Sequence, residues 1–171
     1  METDTERASL TGKRALSIGL AVAAMAFVGD RATKWWLLEH FDMPSKGQVR
    51  LSPFFDLVMV WNKGVSFGLF GDGGAGHRWA LTAISIVIVS VLFYWLQRAT
   101  DRLSAAALGL IIGGATANIY DRFAYGAVAD FFDFHVGRYH WPAFNVADTA
   151  ITTGVALFLL QAVLDRSTSK P

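Results

Sequence analysis

Apolar runs in the sequence predict four helices that span a membrane, at about residues 15–38, 79–96, 103–120 and 148–164. Each run is long enough, because a helix rises about 1.5 Å per residue and about 20 apolar residues cross the hydrocarbon core. In the third run, Gly109 and Gly113 lie one turn apart and would allow close contact with another helix. We therefore expect residues 1–171 to form a single integral membrane domain.

The first apolar run has a second interpretation. Lys13 and Arg14 precede an apolar stretch at 15–29, which is also the pattern of a cleaved signal peptide. Apolar character resumes at Trp35 and Trp36, however, and tryptophan suits a membrane interface. We therefore expect one continuous span.

The stretches between the spans have patterns of their own. Residues 49–51, 54–61 and 65–70 are rich in strand-forming side chains and predict a small sheet, which a glycine-rich loop at 71–76 follows. Residues 123–144 contain many aromatic side chains and no span, which indicates an interfacial segment.

The composition agrees with a membrane protein. The chain is 53% hydrophobic and 17% charged, whereas soluble domains carry about 25% charged residues. A net charge of +1 without a basic stripe argues against a nucleic-acid partner. The absence of cysteine excludes disulfides, thiol nucleophiles, cysteine-ligated zinc and a lipid anchored on a cysteine of this chain.

The distribution of lysine and arginine predicts the orientation. These residues are denser in the stretches 1–14, 97–102 and 166–171 than in the stretches 30–78 and 121–148. Basic residues favour the cytoplasmic side, so we expect both termini in the cytoplasm.

This orientation brings the polar groups of the chain to one leaflet. The end of the first span, the end of the third span and the start of the fourth would all lie at the outer leaflet, together with two loops. The polar groups at these points are Asp30 and Lys34, Asn118, Asp121 and Arg122, Asn145 and Asp148, Asn62 and Asp130. Ionisable groups are costly near hydrocarbon, so their clustering predicts a functional site at this leaflet.

Several of these residues also have simple structural interpretations. Asn145 followed by Asp148 is typical of a helix start, with an amide cap and an acid in the first turn. Asp121 could pair with Arg122, Asp30 could pair with Lys34 one turn later, and Asp133 could be a solvated loop acid.

Other catalytic classes fit less well. Residues 64–68 match G-x-S-x-G, but a glycine-rich loop follows instead of the helix that a serine nucleophile needs. The histidines form no H-E-x-x-H motif, which argues against a zinc protease. A pair of aspartates needs no metal, so we expect no cofactor. Two aspartates acting on a water remain; close carboxylates cannot easily both ionise, so one would keep a proton.

The same residues resemble the motifs of the lipoprotein signal peptidase (signal peptidase II) family, in order and over roughly residues 15–164. The matching motifs are Asp30-x-x-x-Lys34, Asn62-x-Gly64-x-Ser66-Phe67, Gly113-Gly114-x-x-x-Asn118-x-x-Asp121-Arg122, Val128-x-Asp130-Phe131 and Phe144-Asn145-x-Ala147-Asp148. Ser66 stands where alanine is common in the family.

The resemblance implies an intramembrane aspartyl protease with four transmembrane helices, a small extracytoplasmic β-sheet cradle and an interfacial outer segment. It implies cleavage of diacylglyceryl-modified prolipoproteins just before the lipidated cysteine. Asp130 and Asp148 would be the catalytic pair. Asn62, Asn118, Arg122 and Asn145 would bind substrate, and Asp30, Lys34, Gly64 and Asp121 would support the site.

The resemblance also predicts a location and a set of partners. We expect a multi-pass protein of the bacterial cytoplasmic (inner) membrane that contacts membrane lipids and acts as a monomer.

Two other functions remain open from the residues alone. Intramembrane carboxylates and arginine also mark proton-coupled carriers, and a polar cluster could merely hold the helices of a membrane scaffold together.

Overall fold

The structure, a computed structural model, describes residues 4–64 and 75–168. Its helices are α1 (Asp4–Trp35), α2 (Met43–Lys46), α3 (Ala75–Leu96), α4 (Arg102–Ala124) and α5 (Val146–Thr168), and a π-helical turn at Trp36–His40 continues α1. Within the described residues, four helices are long and apolar enough to cross a membrane. The predicted membrane fold is therefore confirmed.

The helices extend beyond the predicted spans. The polar residues from Asp4 onward, expected outside the first span, continue α1 instead. Helix α5 begins at Val146, directly after Asn145. The predicted limits mark only the part of each helix that is apolar enough to lie in hydrocarbon. The hydrogen-bonded helix itself can extend further, into the water on either side.

Helix α4 is the centre of the bundle. Half of its most apolar stretch is buried, against 11–22% for the other three spanning helices. Gly109 and Gly113 lie against the backbone of α1 at Gly19 and Ala23, where a Cβ atom would collide. Gly114 lies equally close to Ala147 of α5. These glycines let α1 and α5 approach α4 closely, as the spacing predicted for one of these faces.

A four-stranded antiparallel sheet lies beside the bundle. Its strands are β1 (Gln48–Ser52), β2 (Phe55–Asn62), β3 (Val128–Val136) and β4 (Tyr139–His140), in that spatial order. Strands β1 and β2 confirm the predictions at 49–51 and 54–61. The strand predicted at 65–70 lies outside the described residues.

The segment 123–144, predicted as interfacial from its aromatic residues, contains two strands that the sequence pattern did not predict. Strand β3 pairs with β2 along most of its length, with Asp130 opposite Val60 and Val128 opposite Asn62. A β-bulge shifts the register between Leu57 and Val60. Phe131, Phe132 and Phe134 of this segment therefore belong to a strand, where aromatic side chains pack well.

An apolar core fixes the sheet to the end of α1. Leu37 of the π-helical turn and Met43 of α2 pack against Leu57, Ala129 and Phe131 of the sheet. The core holds β3 next to the ends of α1 and α4 and the start of α5. Asp130, in the middle of this strand, is thereby held close to the helix ends that carry the other predicted site residues.

Candidate active site

Two asparagines connect the two aspartates of the candidate pair. Asn145 Nδ2 donates to Asp130 Oδ1 at 2.6 Å and lies 3.3 Å from Asn118 Oδ1. Asn118 Nδ2 donates to Asp148 Oδ1 at 2.8 Å. Residues from β3, α4 and α5 thus form one continuous hydrogen-bonded chain from one carboxylate to the other.

Asp148 also takes part in a helix cap, as its simple interpretation predicted. Its backbone N–H donates to Asn145 Oδ1 at 2.9 Å, and its Oδ2 accepts from the backbone N–H of Asn145 at 3.2 Å. This reciprocal pair is a capping box at the start of α5. The cap uses one carboxylate oxygen and leaves Oδ1 directed at Asn118, so capping orients the carboxylate for the site.

Asn62 binds the other oxygen of Asp130. Its Nδ2 donates to Asp130 Oδ2 at 3.0 Å, across the β2–β3 pair. Its own Oδ1 accepts from the backbone N–H of Gly64 at 2.8 Å. Gly64 has φ of 98°, a conformation that residues with a Cβ atom rarely adopt. The turn at Gly64 therefore holds the Asn62 amide in the orientation that directs its N–H at Asp130.

The environment of Asp130 favours a bound proton. The carboxyl group is almost fully buried. Burial raises its pKa from 3.8 to about 6, and the charge of Asp148 adds to the rise. Hydrogen bonds from Asn62 and Asn145 and the charge of Lys34 lower the pKa but do not cancel the effect of burial.

Buried charges lie behind this chain of amides and carboxylates. Lys34 Nζ lies 2.8 Å from Asp30 Oδ2 and 2.6 Å from Asp121 Oδ2, and all three side chains are at most 1% exposed. Asp30 Oδ1 accepts from the backbone N–H of Ala147 at 2.9 Å. The predicted ion pair of Asp30 and Lys34 is thus present and ties α1 to α4 and to the start of α5.

The partner of Asp121 differs from the one that the sequence suggested. Its carboxylate pairs with Arg31 and Lys34 of α1 and accepts from the backbone N–H of Ala129 at 3.2 Å. Arg31 also lies over the ring of Tyr120, with its guanidinium 4.5 Å from the ring centroid. Arg31 was not among the predicted site residues, although a charge inside a predicted span was a signal that could have singled it out.

Arg122 lies near the carboxylates of the site. Its Nη1 donates to the backbone oxygen of Asn118 at 3.3 Å, and its charge interacts with those of Asp148, Asp121 and Asp130. The side chain is only partly buried. The guanidinium of Arg122 is therefore held beside Asn118, and its partial exposure leaves it accessible to a bound molecule.

The structure thus brings all of the predicted site residues to one region. The described members are Asp30, Lys34, Asn62, Gly64, Asn118, Asp121, Arg122, Asp130, Asn145 and Asp148; Ser66 and Phe67 of the matching motif lie outside the described residues. Among the described residues, no group of three or more His, Cys, Asp or Glu side chains is arranged to hold a metal ion.

Asp133 is not a solvated loop acid, and that interpretation is wrong. It lies in β3, is 6% exposed and has its Oδ2 2.7 Å from His140 Nδ1. The His140 ring stacks on His135, whose Nε2 lies 3.5 Å from buried Asp56. These four residues form a second polar cluster on the sheet. Among the residues that the structure describes, no hydrogen bond or ion pair joins it to the site around Asp130.

A groove opens next to Asp148. Its volume is about 390 Å³. One wall is the segment 141–144, and the other wall is the first turns of α5. The lining residues are Trp141, Pro142, Ala143, Phe144, Asp148, Thr149, Thr152 and Thr153. A bound molecule in this groove would lie directly beside the Asp148 carboxylate.

Comparisons with known proteins agree on one family. The family model described as Signal peptidase (SPase) II matches residues 22–164. A protein of Beijerinckia indica named lipoprotein signal peptidase is 46% identical over 90% of this chain and 92% of its own length. One of the same name from Methylobacterium sp. (strain 4-46) is 47% identical over 88% of this chain and 91% of its own length.

Solved structures share the fold. A bacterial membrane enzyme solved by the in meso method at 2.3 Å resolution superposes with a TM-score of 0.74 at 26% identity. The match covers 89% of this chain and 91% of that one. A second structure of a bacterial membrane enzyme, solved by the same method at 1.9 Å resolution, gives a TM-score of 0.71 at 25% identity, over 84% of this chain and 91% of the other.

Proposed function

The chain belongs to the signal peptidase II family, and we propose that it cleaves diacylglyceryl-modified prolipoproteins just before the lipidated cysteine. It is a bacterial membrane protein and a protease of the lipoprotein signal peptidase type. The alternatives of a proton-coupled carrier and of a non-enzymatic scaffold are therefore wrong as its main function.

The observation that carries the proposed mechanism is the hydrogen-bonded chain between Asp130 and Asp148. Two carboxylates that interact this closely titrate as a pair. The carboxyl group with the raised pKa stays protonated up to a higher pH. Asp130 is that group, so it is the acid of the pair. Asp148 accepts hydrogen bonds at the start of α5, where the helix dipole favours a negative charge, so it is the base.

Cleavage then proceeds in two proton-balanced steps. Asp148 takes a proton from a water molecule while the water oxygen attacks the scissile carbonyl carbon. The protonated carboxyl of Asp130 donates a hydrogen bond to the carbonyl oxygen, on which negative charge develops, and keeps its proton. When the tetrahedral intermediate collapses, the carbon–nitrogen bond breaks and the proton held by Asp148 passes to the nitrogen of the cysteine. The pair again holds one proton.

The neighbouring amides and the guanidinium have separate tasks. Asn62 and Asn145 hold one oxygen each of Asp130, so its proton has a fixed direction. Asn118 holds Asp148. Arg122, which is partly buried and near all three aspartates, is placed to bind a carbonyl of the substrate. Asp30, Lys34 and Asp121 keep α1, α4 and α5 in register behind the site.

The location of the site suits a substrate that carries lipid. Both termini are proposed to lie in the cytoplasm and the site near the outer leaflet of the inner membrane, where water is available. The acyl chains of the substrate can then stay among the membrane lipids during cleavage. All residues with a proposed task come from one chain, so a monomer is sufficient for activity.

A purified precursor tests this function. The protein in detergent should release the signal peptide from a precursor whose cysteine carries diacylglyceryl, and mass spectrometry should place the cut directly before that cysteine. The matched control is the same precursor without the lipid, which should remain intact. Equal cleavage of both precursors, or a cut at another bond, would contradict the proposal.

A further inference from the structure

The groove beside Asp148 has a polar lining on a helix that spans the membrane. Thr152 lies one turn after Asp148, and Thr153 lies one turn after Thr149. All three threonines line the groove, and Thr152 and Thr153 are exposed. Both lie within the apolar span Val146–Leu164. A row of hydroxyls on the outside of such a helix needs a reason, since hydrocarbon offers them no hydrogen bonds.

The hydroxyls of Thr152 and Thr153 differ from those of four other threonines in the helices. Thr33, Thr82, Thr116 and Thr149 each donate to the backbone oxygen four residues earlier, at 2.7–3.0 Å. Thr152 and Thr153 make no such hydrogen bond among the described residues. Their hydrogen-bonding capacity is therefore available to a molecule in the groove.

We propose that this groove binds the end of the signal peptide, in extended conformation, and that Thr152 and Thr153 hydrogen-bond to its backbone. The inference rests on the proposed cleavage of prolipoproteins. The signal peptide carries an apolar segment that lies in the bilayer, so the residues before the cut must run from the site into the membrane. Helix α5 runs in that direction from Asp148, and the groove follows its first turns.

An extended peptide has a particular need for such a groove. Unlike a helix, it leaves its own N–H and C=O groups unpaired, and each unpaired group costs several kcal/mol in hydrocarbon. Threonine hydroxyls can both donate to a carbonyl and accept from an amide. The acyl chains of the substrate have no group that could use these hydroxyls, so the lining favours peptide over lipid as the occupant.

Substitution by valine tests the role of the hydroxyls. Thr152→Val and Thr153→Val keep the shape of the side chain and remove its hydrogen bonds. Each should raise KM for the lipidated precursor about fivefold, the value of one ordinary hydrogen bond, and leave kcat within about twofold. Thr152→Ser and Thr153→Ser, which keep the hydroxyl, should restore KM. Ser90→Ala on the exposed face of α3 is the matched control, since its hydroxyl bonds only to its own helix.

Two precursors with acyl chains of different length show whether the peptide or the lipid occupies the groove. The ratio of KM between the valine variants and the wild type should be the same for both precursors. An unchanged or lowered KM in the valine variants, or a ratio that depends on chain length, would overturn the inference. Thr152→Ala and Thr153→Ala give the same comparison if a valine variant melts early, since alanine also lacks the hydroxyl and favours the helix.

Failure of this inference is distinguishable from failure of the proposed function. If the wild type does not cleave the lipidated precursor, the proposed function fails. If the wild type cleaves it and the valine variants have wild-type KM, the function stands and only the assignment of the groove is wrong.

Discussion

Replacing Asp130 by asparagine should make the protein more resistant to unfolding as the pH rises. Burial and the charge of Asp148 raise the pKa of Asp130 to about 6, whereas the unfolded chain ionises near 3.8. Below pH 4 both states of the wild type hold the proton. Between pH 4 and 6 the unfolded state loses it first, so the free energy of unfolding falls as the pH rises through this window.

The size of the effect follows from the difference between the two pKa values. A rise from 3.8 to about 6 corresponds to about 3 kcal/mol, at about 1.4 kcal/mol per unit. For a chain of this length, that is a change in Tm of about 2–4 °C per kcal/mol. Asp130→Asn also disturbs a hydrogen bond with Asn62 or Asn145, but this cost does not depend on pH. The pH dependence therefore isolates the carboxyl group.

The assay is thermal unfolding of the wild type and Asp130→Asn in one detergent, from pH 4 to pH 7.5. The variant should gain stability relative to the wild type as the pH rises, by about 2.5 kcal/mol across this range, since a small part of the total effect lies below pH 4. Ser90→Ala, which changes no titratable group, should show a constant difference from the wild type. If the difference in stability between Asp130→Asn and the wild type were also independent of pH, the claim that burial raises the pKa of Asp130 would be refuted.

Three other changes test the surroundings of the site. Asp121→Asn should lower the stability of the protein by about 3 kcal/mol in a melting experiment, because Arg31 loses its carboxylate and buried Lys34 keeps only that of Asp30. The variant should still retain more single-turnover activity than Asp130→Asn; equal inactivity of two folded variants would contradict this. Gly64→Ala should lower kcat at least about tenfold without a comparable loss of Tm, since it strains the turn that orients Asn62; wild-type kcat would show that the turn has no part in the reaction. A reporter fused after Pro171 should be active only in the cytoplasm, and activity outside would overturn the proposed orientation.

The sequence was sufficient to predict the convergence of the polar groups. Spans that alternate in direction must bring the end of the first and third and the start of the fourth to one side, whatever their packing. Asn118 and Asn145, 27 residues apart, are in contact for this reason. Glycine spacing similarly predicted a close helix contact on one face of α4, which Gly109 and Gly113 make with α1.

Contacts that depend on the packing of side chains were not predictable from pattern. The pairing of Arg31 with Asp121 joins residues 90 positions apart and depends on how α1 and α4 are rotated against each other. The strand β3 was missed because its aromatic residues suit a membrane interface as well as a sheet, and because only the register with β2 distinguishes the two. Asp133 was interpreted as a loop acid for the same reason. Its contact with His140 depends on the pairing of β3 with β4, which the sequence pattern did not predict.

The most direct test of the account is turnover of a lipidated precursor by Asp130→Asn, Asp148→Asn and the double variant, with folding checked by thermal unfolding. Each single change removes the acid or the base of a pair that acts as a unit. Each should therefore abolish cleavage, and the double variant should be little slower than either single one. Substantial cleavage by well-folded Asp148→Asn would contradict the account and leave that residue with only its role in capping α5.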